Sequence, residues 1–220
     1  MTTSLPPLLE LPYLPPVSWM TLIWPHPVIR LEACEHFQKG SYRNRCHIAG
    51  PNGLQRLSIP LLKGKHQQTP IREVRIAYEE PWQQVHWRSI RAGYGNAPFF
   101  EYYADELAPF FEKRYLFLFD LNLELLHFLL KKMGWRGEIR FTDSYVQPAH
   151  DPLHEKTGAI DPADFRQLVS PKAPTPPDQF RPAPYPQVFS ERHGFLADLS
   201  ALDLLLCQGK QAVEIFELSH

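Results

Sequence analysis

The sequence predicts an α/β fold: a single domain with a mixed sheet that includes an antiparallel hairpin and is flanked by helices. Three observations lead to this prediction. Short apolar runs between turn residues in the N-terminal part are typical of strands. Residues 118–133 repeat leucine and phenylalanine at helical spacing. The chain has 220 residues and is 44% hydrophobic, which is enough to bury a sizeable core.

The strands are predicted from alternating apolar residues bounded by turn residues. Asn52 and Gly53 form the strongest short hairpin signal, so we expect the segments on either side of them to pair antiparallel. Residues 71–78 alternate charged with apolar side chains, which fits the edge of a sheet. The six predicted strands are residues 8–11, 28–33, 42–48, 54–62, 71–78 and 138–141.

The helices are predicted from 3.6-residue periodicity and from their terminal residues. Pro81 suits the start of one helix, Gly134 the end of another, and Ser200 the N-cap of the last. The predicted helices are residues 17–24, 82–94, 99–113, 118–133 and 201–207.

Proline content divides the chain. Ten of the 23 prolines lie between Pro148 and Pro186, so this stretch is predicted to be a long surface loop or an ordered arm, with a single helical turn at residues 161–165. We therefore expect an α/β core at 1–145, a proline-rich arm at 146–186 and a C-terminal segment at 187–220 that packs on the core.

The polar segment 36–48 is the predicted site. If it is extended, Lys39, Arg43 and Arg45 share one face, and a row of cations suits a phosphate or carboxylate. The alternative is the solvent-facing side of an edge strand, where Lys and Arg prevent unwanted pairing. Gly40 makes the register provisional. The predicted substrate-binding residues are Tyr13, Gln38, Lys39, Arg43, Asn44, Arg45 and Lys63, with Tyr13 and Asn44 orienting the substrate.

His86 is the predicted catalytic residue. It lies one helical turn after Trp82, and an imidazole that titrates near neutral pH can act as a general base. The alternative is a core histidine whose ring is satisfied by a backbone carbonyl.

No metal site or cofactor is expected. His150 and His154 are four residues apart, but Pro152 between them disfavours the helix that would bring both rings to one face. Cys34, Cys46 and Cys207 form no CxxC pair and are predicted to be free thiols. The sequence also lacks the nucleophile-elbow, phosphate-loop, dinucleotide-binding and HExxH motifs.

The formal net charge is −1 and the pI about 6.8, so no overall basic field favours nucleic acid as a partner. The expected partner is a small anionic substrate, namely a phosphate, a nucleotide or a carboxylate. The N-terminus does not resemble a signal peptide, and the most apolar stretch, 116–130, contains Asp120 and Glu124. We expect a cytoplasmic protein without a membrane span, and the oligomeric state stays open.

An ordered set of motifs resembles the WbqC-like family over residues 8 to about 140, with further likeness at 185–206. The set comprises Pro12-Tyr13-Leu14-Pro15, the segment from Phe37 to Arg45, the segment from Leu57 to Gly64, His86-Trp87, and the segment from Tyr94 to Phe100. Members usually carry Gln-Pro before Tyr-Leu-Pro, whereas this chain has Leu11 and Pro12. A ligand contact made by that glutamine is therefore either absent here or replaced, with Glu10 as the candidate.

The resemblance implies a role in bacterial surface polysaccharide, such as O-antigen. We therefore expect a transferase that acts on a phosphorylated or nucleotide-activated sugar, such as an amino sugar. By fold analogy, a strand, a loop and a short helix at the N-terminus are compatible with a nucleotide-binding α/β sheet, in which ligands lie beyond the carboxyl ends of the strands. The alternative is a non-enzymatic scaffold that uses the aromatic helix at 99–111 and the proline-rich arm as partner surfaces.

Overall fold

The computed structural model describes residues 5–62, 68–147, 163–166, 168–172 and 181–218. Its strands are β1 (Leu8–Leu9), β2 (Val28–Leu31), β3 (Arg45–Gly50), β4 (Gly53–Ser58) and β5 (Glu138–Phe141). Its helices are α1 (Val17–Ile23), α2 (Trp82–Tyr94), α3 (Phe100–Leu107), α4 (Leu118–Met133), α5 (Ser190–His193), α6 (Ala201–Gln208) and α7 (Ala212–Glu217). The α/β class is confirmed.

Three strands form a parallel sheet in the order β1-β2-β5. Leu8 is paired with Arg30, and Val28 with Glu138, so the carboxyl ends of all three strands lie at the same edge. On the free side of β1, Asp164 adds one parallel bridge to Leu8. A piece of the chain from beyond residue 146 therefore packs beside the first strand.

The predicted hairpin is confirmed, but its place in a mixed sheet was wrong. β3 and β4 pair antiparallel from Arg45 opposite Ser58 to Gly50 opposite Gly53, and they form a two-stranded sheet of their own. The hairpin packs against α2 instead, where Gly93 allows a close approach. A Cβ at Gly93 would lie 2.4 Å from the carbonyl oxygen of Ala49.

Two other predictions needed correction. Residues 71–78 are not a strand: Ile71–Glu73 form a 3₁₀ turn, and Arg75 and Ile76 make single bridges to Phe117 and Leu61. The helix predicted over 99–113 ends at Leu107 and continues as the 3₁₀ turn Ala108–Phe111. Pro109 explains the break, since proline lacks the N–H that a regular helix needs.

The core supports the remaining helix predictions. One cluster of buried side chains extends from Leu9 to Phe216 and includes Leu125 and Leu129 of α4. Gly134 ends α4 with a φ of +89°, and the Ser200 hydroxyl accepts the Leu202 N–H at the start of α6.

The structure describes the aromatic helix expected as a scaffold surface and part of the proline-rich arm. Most of the proline-rich arm lies outside the described residues. The single helical turn predicted at 161–165 is described only from residue 163 onward. In α3, Phe100, Tyr103 and Leu107 are buried, whereas Tyr102 is 69% exposed. No helix in the described ranges is both long and apolar enough to cross a bilayer.

Candidate functional site

The predicted site is built around a short turn rather than a strand. Tyr42–Asn44 form a 3₁₀ turn, and the Ser41 hydroxyl accepts the Arg43 N–H at 3.4 Å. Strand β3 begins only at Arg45. The strict alternation that placed Arg43 and Arg45 on one face was therefore wrong, because a 3₁₀ turn does not alternate its side chains between two faces.

Three of the predicted binding residues line one pocket of about 290 Å³. This volume lies at the lower end of the range for small-molecule pockets, about 300–1,000 Å³. The lining residues that the structure describes include two cations and no carboxylate, so this part of the pocket is electropositive. Its residues are Phe37, Lys39, Gly40, Asn44, Arg45, Ile59, Pro60 and Leu61.

Two lining side chains carry buried polar atoms that are left without a partner among the described residues. The Asn44 amide nitrogen donates to the carbonyl of Ile59 at 2.9 Å, which fixes the amide so that Oδ1 faces away from it. Asn44 Oδ1 and Arg45 Nε are the two unpartnered atoms. Leaving such atoms unpaired is costly, so two residues of the pocket lining carry a donor and an acceptor that lack partners within the described residues.

The electrostatic environment of Arg45 also favours an anionic ligand. Burial lowers the pKa of the Arg45 guanidinium, and the nearby Arg56 lowers that pKa further. An anion in the pocket would counter both effects, because it stabilises the charged form.

Arg43 points into the protein. Its Nε and Nη2 each donate to a Glu35 carboxylate oxygen at 2.6 Å, and both side chains are at most 3% exposed. Burial by itself lowers the pKa of Arg43, but the Glu35 carboxylate outweighs this, and the pKa is raised overall. The guanidinium is thus held by a bidentate ion pair.

Tyr13 and His86 are brought together, away from the pocket lining. The Tyr13 hydroxyl lies 2.9 Å from His86 Nδ1, and both side chains are buried. Burial lowers the pKa of His86 to about 4, opposed by a hydrogen bond to the backbone of Ser58. With the imidazole neutral, the ring accepts from Tyr13 and donates to Ser58, so both ring nitrogens are used.

The other predicted residues lie elsewhere. Gln38 is exposed, and its carbonyl accepts the Ser41 hydroxyl at 2.7 Å. Lys63, His150 and His154 lie outside the described residues. Of the cysteines, Cys46 and Cys207 are buried and Cys34 is half-buried, all as free thiols. Within the described ranges, no group of three or more His, Cys, Asp or Glu residues could hold a metal ion.

A larger pocket, of about 530 Å³, lies between the end of α4 and β5. Its cations, Lys131 and Arg136, are exposed, and Trp135 forms part of its wall. In the part of the chain that the structure describes, none of its side chains has a buried polar atom without a partner. The smaller pocket is therefore the better candidate.

Comparison with known proteins agrees with the motifs. The model of the WbqC-like protein family matches residues 12–175. The chain belongs to the WbqC-like family. One similar protein is the "Uncharacterized protein Rv1507c" of Mycobacterium tuberculosis, which is 35% identical over 100 residues, or 44% of this chain and 42% of its own length. The match thus spans less than half of that relative. No solved structure matches this WbqC-like chain.

Apart from Glu10, sequence reasoning missed the members of a buried charged cluster at the carboxyl edge of the parallel sheet. Glu10 directly follows β1 and Glu32 directly follows β2. Arg166 binds Glu32 at 3.1 Å and Asp164 at 2.7 Å. The sequence contained a signal for this cluster, namely an acidic residue immediately after each of two buried strands. Such residues lie at the edge of the sheet where α/β proteins bind ligands.

Glu10 is the unusual member of this cluster in the WbqC-like chain. Its side chain is 3% exposed, and Oε2 has no hydrogen-bond partner among the described residues. Burial raises the pKa of Glu10, and the positive charge of Arg43 opposes that effect. A protonated carboxyl at this position can donate a hydrogen bond, as a glutamine amide does.

Proposed function

We propose that this WbqC-like protein is a cytoplasmic transferase that acts on a phosphorylated or nucleotide-activated sugar, such as an amino sugar destined for bacterial surface polysaccharide. One observation carries the proposal. The pocket at the start of β3 is lined by two cations and by residues that carry a buried donor, Arg45 Nε, and a buried acceptor, Asn44 Oδ1, and none of its described lining residues is a carboxylate.

The two kinds of group fit the two ends of such a substrate. Arg45 and Lys39 supply donors and positive charge for phosphate oxygens. Asn44 Oδ1 can accept a hydrogen bond from a sugar hydroxyl or amino group. An apolar or purely cationic ligand would leave Arg45 Nε unpaired, so neither fits as well.

In the proposed chemistry, the general base is His86 of the buried pair of Tyr13 and His86, and this histidine contacts the hairpin at Ser58. Ser58, whose backbone binds His86, is paired with Arg45 across the hairpin. Tyr13 and His86 are thus connected to the pocket residue Arg45 through the pairing of Ser58 with Arg45. The base role of His86 is a prediction, and its pH dependence is tested as described in the Discussion.

Isothermal titration calorimetry tests the proposal. Inorganic phosphate, a hexosamine phosphate and a nucleotide sugar are titrated into the wild type, Arg45→Ala and, as a matched control, Arg88→Ala, an exposed arginine on α2. We expect the wild type and the control to bind the sugar phosphate. Arg45→Ala should bind it about tenfold or more weakly, since a charge-assisted hydrogen bond is worth about 1.5–3 kcal/mol.

The transferase class is tested on the same samples. The sugar that binds is incubated with acyl donors, and the mass of the product is followed. Absence of binding to every anion by the wild type would refute the proposed function, whereas binding without turnover would leave an anion-binding protein and refute the transferase.

A further inference from the structure

Lys172 lies against Gly40, one of the residues that line the candidate pocket. Gly40 lines that pocket, and a Cβ built on it would lie 2.7 Å from Cε and 3.2 Å from Nζ of Lys172. Gly40 also has a φ of +79°, which other residues rarely adopt. The absence of a side chain at this position is what lets the lysine approach so closely.

The Lys172 ammonium is available to a ligand. The backbone N–H of Lys172 donates to the Ser170 hydroxyl at 3.3 Å, which helps to set the path of the segment 168–172. No carboxylate among the described residues forms an ion pair with its side chain. The positive charge beside Gly40 is thus not neutralised by an ion pair within the described residues.

We propose that Lys172 is a third cationic binding residue of this pocket, and that the group bound there is a phosphate monoester rather than a carboxylate or a nucleotide diphosphate. This inference rests on the proposed function and narrows its substrate to a sugar phosphate. Sequence reasoning did not identify Lys172, which reaches Gly40 from a segment far along the chain.

The number of cations at the pocket matches the charge and the number of acceptor oxygens of a phosphate monoester. Lys39 and Arg45 line the pocket and Lys172 lies beside its Gly40, so three positive charges meet where the described lining residues include no carboxylate. A phosphate monoester carries about −1.5 to −2 charge at neutral pH and three acceptor oxygens. A carboxylate offers a single charge and two oxygens. The volume of about 290 Å³ also suits a sugar phosphate better than a whole nucleotide.

The experiment compares Lys172→Gln and Lys172→Arg with the wild type, using Lys210→Gln, another exposed lysine, as the control. Glucosamine 6-phosphate, inorganic phosphate, acetate and a nucleoside diphosphate are titrated by calorimetry. We expect Lys172→Gln to bind the sugar phosphate about tenfold more weakly, and Lys172→Arg and Lys210→Gln to stay within about twofold of the wild type.

A double-mutant cycle with Gly40→Ala separates the role of Lys172 from general damage to the pocket. The added methyl group should displace the lysine, so Gly40→Ala should weaken sugar phosphate binding more in the wild type than in Lys172→Gln, where only the backbone strain at φ +79° remains. Circular dichroism confirms that each variant is folded. A full effect of Gly40→Ala in both backgrounds would overturn the inference.

The outcomes also separate this inference from the proposed function. If the wild type binds no anion, the proposed function fails. If it binds sugar phosphate and Lys172→Gln binds equally well, the role of Lys172 fails while the proposed function stands. Acetate or the diphosphate binding as tightly as the sugar phosphate would overturn the choice of a monoester.

Discussion

Asp203 in α6 should make the stability of this protein depend on pH. Its side chain is fully buried, and neither carboxyl oxygen forms a well-aligned hydrogen bond within the described residues. The hydroxyls of Tyr94 and Tyr185 and the amide of Gln187 lie beside it and stabilise its charge in part. Burial still dominates, and it raises the pKa of Asp203 from 3.8 to about 6. The perturbation that isolates this group is Asp203→Asn, which keeps the shape and removes the titration.

The magnitude follows from proton linkage. Because the pKa is higher in the folded state, the folded protein holds this proton more tightly than the unfolded chain does. The resulting stability is fully present below 3.8 and is lost as the pH rises to about 6. A change of about 2 in the pKa corresponds to about 3 kcal/mol in the free energy of unfolding. Asp203→Asn should not show this loss.

The assay is urea unfolding of the wild type and Asp203→Asn between about pH 4 and about pH 7. We expect the stability of the variant relative to the wild type to increase by about 3 kcal/mol over that interval. Asp105→Asn, at an exposed position of α3, serves as the control. Parallel pH profiles for wild type and Asp203→Asn would refute the reasoning, because they would show that Asp203 keeps its ordinary pKa in the folded protein.

Two further predictions concern buried groups. Arg43→Met should lower the free energy of unfolding by about 4 kcal/mol, because it leaves Glu35 buried without its cation. Changing Glu35 to Leu in that variant should restore most of the lost stability. Equal instability of the single and double variants in urea unfolding would contradict this prediction. The pKa of His86 is lowered from 6.5 to about 4, so the stability that depends on the neutral imidazole should be lost as the pH falls through that window, by about 3 kcal/mol. His86→Gln should abolish this loss, and a catalytic activity that uses His86 as its base should show its acid limb near pH 4 rather than 6.5.

The parts of the fold that were predicted depend on neighbours in the sequence. Helix α4 has its apolar stripe and its terminal glycine within one segment, and the prediction of 118–133 was confirmed. The hairpin has its turn residues between its strands, and the antiparallel pairing was confirmed. In both cases the physical cause, periodicity or turn geometry, is local.

The parts that were missed depend on residues far apart. Arg43 points inward because Glu35 receives it, and no alternation pattern encodes that ion pair. Residues 71–78 look like a strand, yet their backbone groups are shared between a 3₁₀ turn and single bridges to Leu61 and Phe117. Lys172 approaches the pocket because Gly40 lacks a side chain, which shows only once the two segments are placed together.

The 3₁₀ turn Tyr42–Asn44 sets the directions of the side chains at the candidate site. Its consecutive side chains diverge: Arg43 enters the interior, whereas Asn44 lines the pocket together with Arg45. The turn cannot rotate freely, since each of its three carbonyl groups accepts a hydrogen bond from a different part of the chain. The donors are the Tyr13 N–H to Tyr42, the Asn122 side-chain amide to Arg43, and the Ile59 N–H to Asn44.

Those three bonds connect the turn to the segment after β1, to α4 and to the end of the hairpin. The unpartnered atoms of Asn44 and Arg45 are therefore held in position before any ligand arrives, and preorganised groups lose little entropy on binding. The buried ion pair of Arg43 with Glu35 then has a part in the site even though it does not face the pocket. It anchors the turn from the inside, so the residue predicted to bind the anion is better interpreted as a positioning residue for the two that follow it.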